Sequence, residues 1–240
     1  MIEAIKSQLP HRLYMHILVM TRIMPGHSLG GMQKQNMDLC NGFVQSGHKV
    51  TVITTARNDG VEIETIEGVD ICYLSGSKPG YYSRKWNSLC RKHIIKLHQE
   101  NPIDVIHSQS MGAISVLKWA KKNSIPIVST WHGTSLTEIS TFFSSASYHP
   151  RYWHWLLIMP ISLLKRYFTM DLTVRRASKK ITLVSPTLEK NMKLFTKNKV
   201  VTIPNGIELP LVKTKSKQKP IQCIAIGRIE KEKGCLLYTS

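Results

Sequence analysis

Asp104–Gly133 reads DVIHSQSMGAISVLKWAKKNSIPIVSTWHG. A short strand at Asp104–His107 is followed by a helical stretch at Met111–Lys122 and a strand at Ile125–Thr130. Strand, helix, strand in that order describes one unit of a parallel sheet. The same alternation continues on both sides. Upstream, Tyr14–Met20 reads as a buried strand and Gly31–Ser46 has helical spacing, with Met32, Asn36, Leu39 and Phe43 on one side. Gly47-His48 turns the chain into a strand at Lys49–Thr55. Val61–Ile66 and Val69–Leu74 form a hairpin about Glu67-Gly68, and Tyr82–Glu100 is a basic helix. Downstream, Arg151–Ala177 is helical with a break near Pro160. Lys180–Val184 is a strand, Thr187–Phe195 a helix and Lys199–Ile203 a strand. The expected class is α/β, a doubly wound parallel sheet with helices on both faces. Its span of about 200 residues is enough to bury a sound core.

This places residues 1–208 in one domain. Residues 209–220 form a linker with lysine at 213, 215, 217 and 219, a composition that keeps a segment extended and solvated. Residues 221–240 open a second domain whose first strand is Ile221–Ile226, and a lone strand cannot bury both faces. The expectation is a chain truncated early in that domain. The last six residues, Cys235–Ser240, read CLLYTS, either the start of a helix or one translated frame of a common transposon sequencing adapter. They are set aside from the fold.

The net charge is +18, from 33 Lys+Arg against 15 Asp+Glu. Such a field attracts polyanions, whether nucleic acid, anionic headgroups or diphosphates, without choosing among them. Five cysteines (Cys40, Cys72, Cys90, Cys223, Cys235) are scattered with no CxxC, which reads as reduced thiols in a cytoplasmic protein. Residues 1–12 are polar and basic, and the apolar run Tyr14–Met20 is too short for a signal core.

Ligands of open doubly wound sheets bind at the carboxyl ends of the strands. Collected there are Pro25, Gly26, Gly30 and Gly31, then His107, Trp131-His132-Gly133, Ser185, and Pro204-Asn205-Gly206. The first loop lacks GxGxxG and the second strand ends Ile53-Thr54-Thr55 without an acid, which disfavours a dinucleotide. Gly30-Gly31 suits either a tight turn or the approach of phosphate or sugar to a helix N-terminus. His132 suits either an imidazole projecting over a sugar or a structural histidine held by backbone, and His107 leans to structure. No H-x3-H, mixed Cys/His spacing or Asp-x-Asp occurs, so no metal cofactor is expected. Arg228 and Lys233 bracket the turn after the last strand beside Gly227, where two cations can hold a departing diphosphate. Arg151–Phe168, RYWHWLLIMPISLLKRYF, suits a helix in a membrane interface or one buried in the core. The basic helix around Arg84–Lys96 and the Arg175-Arg176/Lys179-Lys180 cluster would add attraction to anionic lipid or form a solvated face.

Taken in order, GGMQKQNMDLCNGFVQSGHKVTVIT, IDVIHSQS, PIVSTWHG, ASKKITLVSPTLEKNM, VVTIPNGIE and IAIGRIEKEKG resemble the retaining glycosyltransferases of family 4, which have the GT-B fold. The resemblance runs over roughly residues 14–234 and implies two Rossmann-like domains facing a cleft. The first binds mainly the acceptor and the second the nucleotide-sugar donor. It implies that Gly30 and Gly31 meet donor phosphates or acceptor, and that His132 lies near the transferred sugar. Ser185, Asn205 and Gly206 would be cleft residues on the hinge side, and Arg228 and Lys233 the diphosphate clamp. Gln109 stands where a second histidine often follows His107, and Glu208 where Asp usually follows the Asn-Gly turn. The implied partners are a nucleotide sugar and a glycan or lipid-linked acceptor, with no specific nucleic acid; the basic charge and the Arg151–Phe168 stretch add an anionic membrane surface as a candidate partner.

Two rival readings remain. A GT-B-fold sugar-nucleotide epimerase needs acid/base carboxylates in the cleft, and acids are scarce near these strand ends. A non-enzymatic basic module predicts salt-sensitive binding to DNA or vesicles and leaves the glycines and Asn-Gly turn at strand ends unexplained.

Overall fold

A computed structural model describes residues 14–28, 30–145, 153–189, 192 and 199–206. It contains one eight-stranded sheet in the order β3-β4-β2-β1-β5-β6-β7-β8. The strands are β1 His16–Met20, β2 Lys49–Thr55, β3 Ile63–Ile66, β4 Val69–Leu74, β5 Val105–Gln109, β6 Ile127–Trp131, β7 Lys180–Leu183 and β8 Val200–Thr202. Every neighbouring pair is parallel except β3–β4, the expected hairpin. Glu67 and Gly68 take φ values of 50° and 80°. That is a two-residue turn whose twist matches a hairpin. The sheet is the doubly wound α/β arrangement the sequence implies, with β3 and β8 at its two edges.

The helices are α1 Gly31–Gln45, α2 Arg84–Glu100, α3 Leu117–Lys122, α4 Ser135–Ser145, α5 Trp153–Arg166 and α6 Leu172–Ala177. β1 is buried along its whole length, as expected for a strand covered on both faces. Alternate side chains feed two cores. Leu18, Met20 and Ile106 pack with Trp86, Cys90 and Ile94 of α2 on one face. Ile17, Val19, Val50 and Val52 pack with Met37 and Cys40 of α1 on the other. Cys40, Cys72 and Cys90 are free thiols. The hydroxyl of Ser83 caps α2, accepting from the Trp86 N–H at 3.1 Å.

Three expectations change. The stretch read as one helix, Met111–Lys122, is a 3-10 turn at Gly112–Ser115 followed by α3. Ser108, one residue before the end of β5, fastens a tight turn there. Its hydroxyl donates to Ser110 O and accepts from Ala113 N–H, both at 2.9 Å. Pro160 does not break its helix. Proline fixes φ near the helical value and removes one donor, so α5 runs through it. The regular helix gives way later, at a π-turn over Tyr167–Asp171. Finally, Arg175 is no part of an exposed basic cluster. It is buried, and its Nη2 donates to Met192 O at 3.1 Å.

By their contacts the described residues fall into two compact units, one holding the sheet and the other holding Thr134–Tyr167. In the second, α4 starts with a reciprocal cap. Thr134 N–H donates to the Thr137 hydroxyl at 2.9 Å and Thr137 N–H to the Thr134 hydroxyl at 3.2 Å. Arg166 joins α5 to α4, reaching the Ser135 hydroxyl at 2.7 Å and pairing with Glu138. Leu163 is buried, while the apolar side chains on the other side of α5 are exposed.

Candidate functional site

The chain passes from β1 to β2 on one side and later enters β5 on the other. Strand order therefore reverses between β1 and β5, and the carboxyl ends of these two strands flank the crevice where such sheets bind ligands. The turn after β5 packs directly over the end of β1. A Cβ built on Gly112 would lie 2.1 Å from the Met20 carbonyl oxygen and 2.8 Å from its carbon. Only a residue without a side chain closes this approach.

Beyond β1, Asn36 of α1 is buried and donates to the Thr21 hydroxyl at 3.2 Å. His27 accepts from Met24 N–H at Nδ1, so its Nε2–H donates to Thr55 O at 3.0 Å. These bonds tie the loop to the ends of β1 and β2 and deliver Gly30 as the N-cap of α1 in extended backbone. A Cβ on Gly31 would meet nothing within 4 Å, and one on Gly30 only the amide tip of Gln33. The chain's own packing does not demand these two glycines. They leave the helix N-terminus uncovered, which suits the approach of an anionic or hydroxyl-rich ligand.

His132 follows β6 directly and is half-buried. Its Nε2 lies 3.2 Å from Oε1 of Gln109, the last residue of β5. Gln109 is itself buried, so it holds the imidazole from within the sheet. With Nε2–H donating to that oxygen, Nδ1 carries the lone pair. Burial lowers the His132 pKa below the ordinary 6.5, keeping the ring neutral at pH 7. Held this way, the neutral imidazole can accept one hydrogen bond at Nδ1 from a ligand hydroxyl.

His107 is placed differently. It is buried in the sheet, bonded through Nε2 to the Thr130 hydroxyl at 2.8 Å, with the Phe43 ring edge-on at 6.2 Å. Thr130 in turn bonds Thr182. Burial, with a smaller contribution from His132, lowers its pKa to about 4. The unfolded chain takes up this proton near 6.5 and the folded chain only near 4. Stability is therefore full above 6.5 and falls by about 3 kcal/mol as pH drops through that window. Urea unfolding at stepped pH values should show this slope, and His107→Gln should remove most of it.

Ser185 opens the helical segment at residues 186–189. Its Oγ accepts from Thr187 N–H at 3.3 Å and its carbonyl from Leu188 N–H at 3.2 Å. Asn205 and Gly206 follow β8 and are exposed. Among the described residues no hydrogen bond joins Ser185 or Asn205 to His132, so only Gln109 and His132 meet directly. Arg228, Lys233, the linker and the second domain's strand lie outside the described residues. One polar cluster was not anticipated. Arg57, just beyond β2, pairs with Asp59 and Glu64 and covers the Tyr73 ring at 5.1 Å. A Cβ on Gly26 would come within 2.7 Å of its Nη1. Among the described residues no group of three His, Cys, Asp or Glu side chains is placed to hold a metal ion.

The doubly wound sheet, with a crevice at the carboxyl ends of β1 and β5, is a Rossmann-like domain. The chain belongs to Glycosyltransferase Family 4, whose model matches residues 29–210. No curated protein matches it significantly. Among solved structures it is similar to sucrose-phosphate synthase from Thermosynechococcus elongatus. There the TM-score is 0.55 and the identity 13%, over 79% of this chain and 48% of that one. It is also similar to the catalytic domain of starch synthase IV from Arabidopsis thaliana, bound to ADP and acarbose. That match has a TM-score of 0.53 and 18% identity, over 81% of this chain and 52% of that one. These likenesses are of fold, and the chain spans about half the length of these two structures.

Proposed function

We propose that this chain is the acceptor-side half of a retaining glycosyltransferase. It transfers a sugar from a nucleotide-diphosphate donor to an acceptor hydroxyl, in polysaccharide or lipid-linked glycan synthesis on the cytoplasmic side. The family match over residues 29–210 carries this reading. The neutral His132 held by Gln109, the open backbone at Gly30 and Gly31, and the free cysteines support it. In the reaction the bond from the anomeric carbon to the diphosphate oxygen breaks through an oxocarbenium-like transition state. The acceptor hydroxyl oxygen then bonds on the same face, and its proton passes to the departing diphosphate oxygen. His132 orients the sugar through a hydrogen bond, and Ser185, Asn205 and Gly206 border the cleft. Arg228 and Lys233 take the charge of the departing diphosphate. No metal is needed in this scheme. In this scheme residues 1–240 give no turnover without a donor-binding domain.

The test is product analysis of the natural gene's full product with a panel of nucleotide sugars and glycan acceptors. The expected result is release of nucleoside diphosphate and a glycoside of unchanged anomeric configuration by NMR. An epimerised nucleotide sugar, or an inverted product, would overturn the proposal. In that protein Arg228→Ala should lower kcat/KM by about two to three orders of magnitude and leave the melting temperature unchanged. A variant that loses stability but keeps its turnover removes Arg228 from the clamp.

A further inference from the structure

The loops at the carboxyl edge of the sheet carry no acid beside the crevice. Residues 20–37, 75–99 and 105–137 contain no Asp or Glu, and they include the loops that follow β1, β4, β5 and β6. The acids at this edge stand on the far side, around the connection from β2 to β3. Asp59 and Glu64 are taken by Arg57, and Glu62 adjoins the edge strand β3. The charge of Arg57 is cancelled where it stands.

That of Arg22 is not. Arg22 follows β1 and is exposed, and among the described residues no carboxylate pairs with it. Its backbone is held firmly. The buried Thr55 hydroxyl donates to Arg22 O at 2.6 Å and accepts from Gly80 N–H at 2.8 Å, so one side chain ties the loops after β1 and β4 together. The Tyr82 phenol is near enough to feel the Arg22 charge, and it donates to Gln109 O at 3.4 Å. Arg22 therefore stands beside the crevice, one side chain away from the strand end that holds His132.

Two lysines adjoin it on the loop that Thr55 fastens. Lys78 Nζ lies 4.5 Å from the centre of the exposed Tyr81 ring, and a Cβ on Gly76 would come 3.1 Å from Lys85 Nζ. Three cations with no acid among them form a field that favours an anion, and the exposed ring offers an apolar face to a sugar. The donor's diphosphate already has Arg228 and Lys233 in the scheme above, so this second positive site serves the acceptor.

We infer that the acceptor is an acidic glycan, whose carboxylate or phosphate is bound by Arg22 with Lys78 and Lys85 beside it. The inference rests on the sugar-transfer reading and narrows its substrate. A planar guanidinium can grip either anion through two parallel N–H donors.

The experiment measures glycan binding to the 240-residue chain without donor, so its outcome does not depend on whether the full gene product transfers sugar. Isothermal titration at about 0.15 M salt compares acidic sugars with their neutral counterparts. Oligogalacturonate against its methyl ester probes a carboxylate, and mannose phosphate against mannose probes a phosphate. At least one acidic member should bind about tenfold tighter than its counterpart. Arg22→Gln should weaken that binding about fivefold, and Lys122→Gln less than about twofold. Lys122 ends α3 and is exposed at the opposite edge of the sheet. Both side chains are exposed, so both variants should melt with the wild type. Equal binding within both pairs, or no binding, would overturn the inference. So would equal losses in the two variants, which would assign the attraction to the net charge of +18. In the full product Arg22→Gln should raise the acceptor KM and leave the nucleotide-sugar KM unchanged. The reverse pattern would move Arg22 to the donor and sink the inference.

Discussion

Gly112→Ala is expected to destabilise the chain by about 3–5 kcal/mol, a large share of the total stability of an ordinary domain. The added Cβ would lie 2.1 Å from the Met20 carbonyl oxygen, and that atom has nowhere to go. Met20 is fully buried and stands between Ile53 of β2 and Ser108 of β5 in the sheet. The turn carrying Gly112 is equally fixed, because Ser108 bonds both Ser110 and Ala113. Relief requires either strand β1 or the turn to move, and both line the crevice. Thermal melting followed by circular dichroism measures the effect. Gly31→Ala is the control, since its Cβ meets nothing and alanine favours a helix. If the two alanine variants melt together, the turn does not approach β1 as described.

The second large effect concerns His132. In the full gene product, His132→Ala should lower kcat by about two to four orders of magnitude with little change in stability. The ring is half-buried at a strand end and its described bond is to Gln109, so its loss opens no apolar cavity. Gln109→Leu removes the oxygen that holds Nε2–H and should cost about tenfold in kcat, because the ring is no longer fixed in one tautomer. Steady-state kinetics across pH separates these outcomes. Wild-type turnover in His132→Ala would place the histidine outside the reaction.

Much of this was legible in the sequence because it is local. Lys49–Thr55 is β-branched from Val50 onward, and it forms a strand with those bounds. Glu67-Gly68 announces its own turn, and the alternation around Asp104–Gly133 implies a parallel sheet. What stayed hidden depends on residues far apart in the chain. Gly112 sat inside an expected helix, and its reason for being glycine is a carbonyl on β1. A glycine within a helical pattern is the signal that could have exposed it. Gln109 was noted as a departure from the family, but only the pairing of β5 with β6 shows that it reaches His132. Helix α4 was missed although Thr134 and Thr137 form a cap that local spacing could reveal. Pro160 was read as a break because it forbids a hydrogen bond, yet it does not forbid the helical conformation.

The two rims of the sheet would behave differently in a concentrated solution. β3 is short and carries Glu64, engaged by Arg57, so an incoming strand meets charge. β8 offers three residues with Val201 half-exposed and Ile203 exposed just after it, and among the described residues nothing pairs with its outer side. Such a rim is where cross-β aggregation of the isolated chain would nucleate, and a lysine at position 201 would be the most economical guard against it.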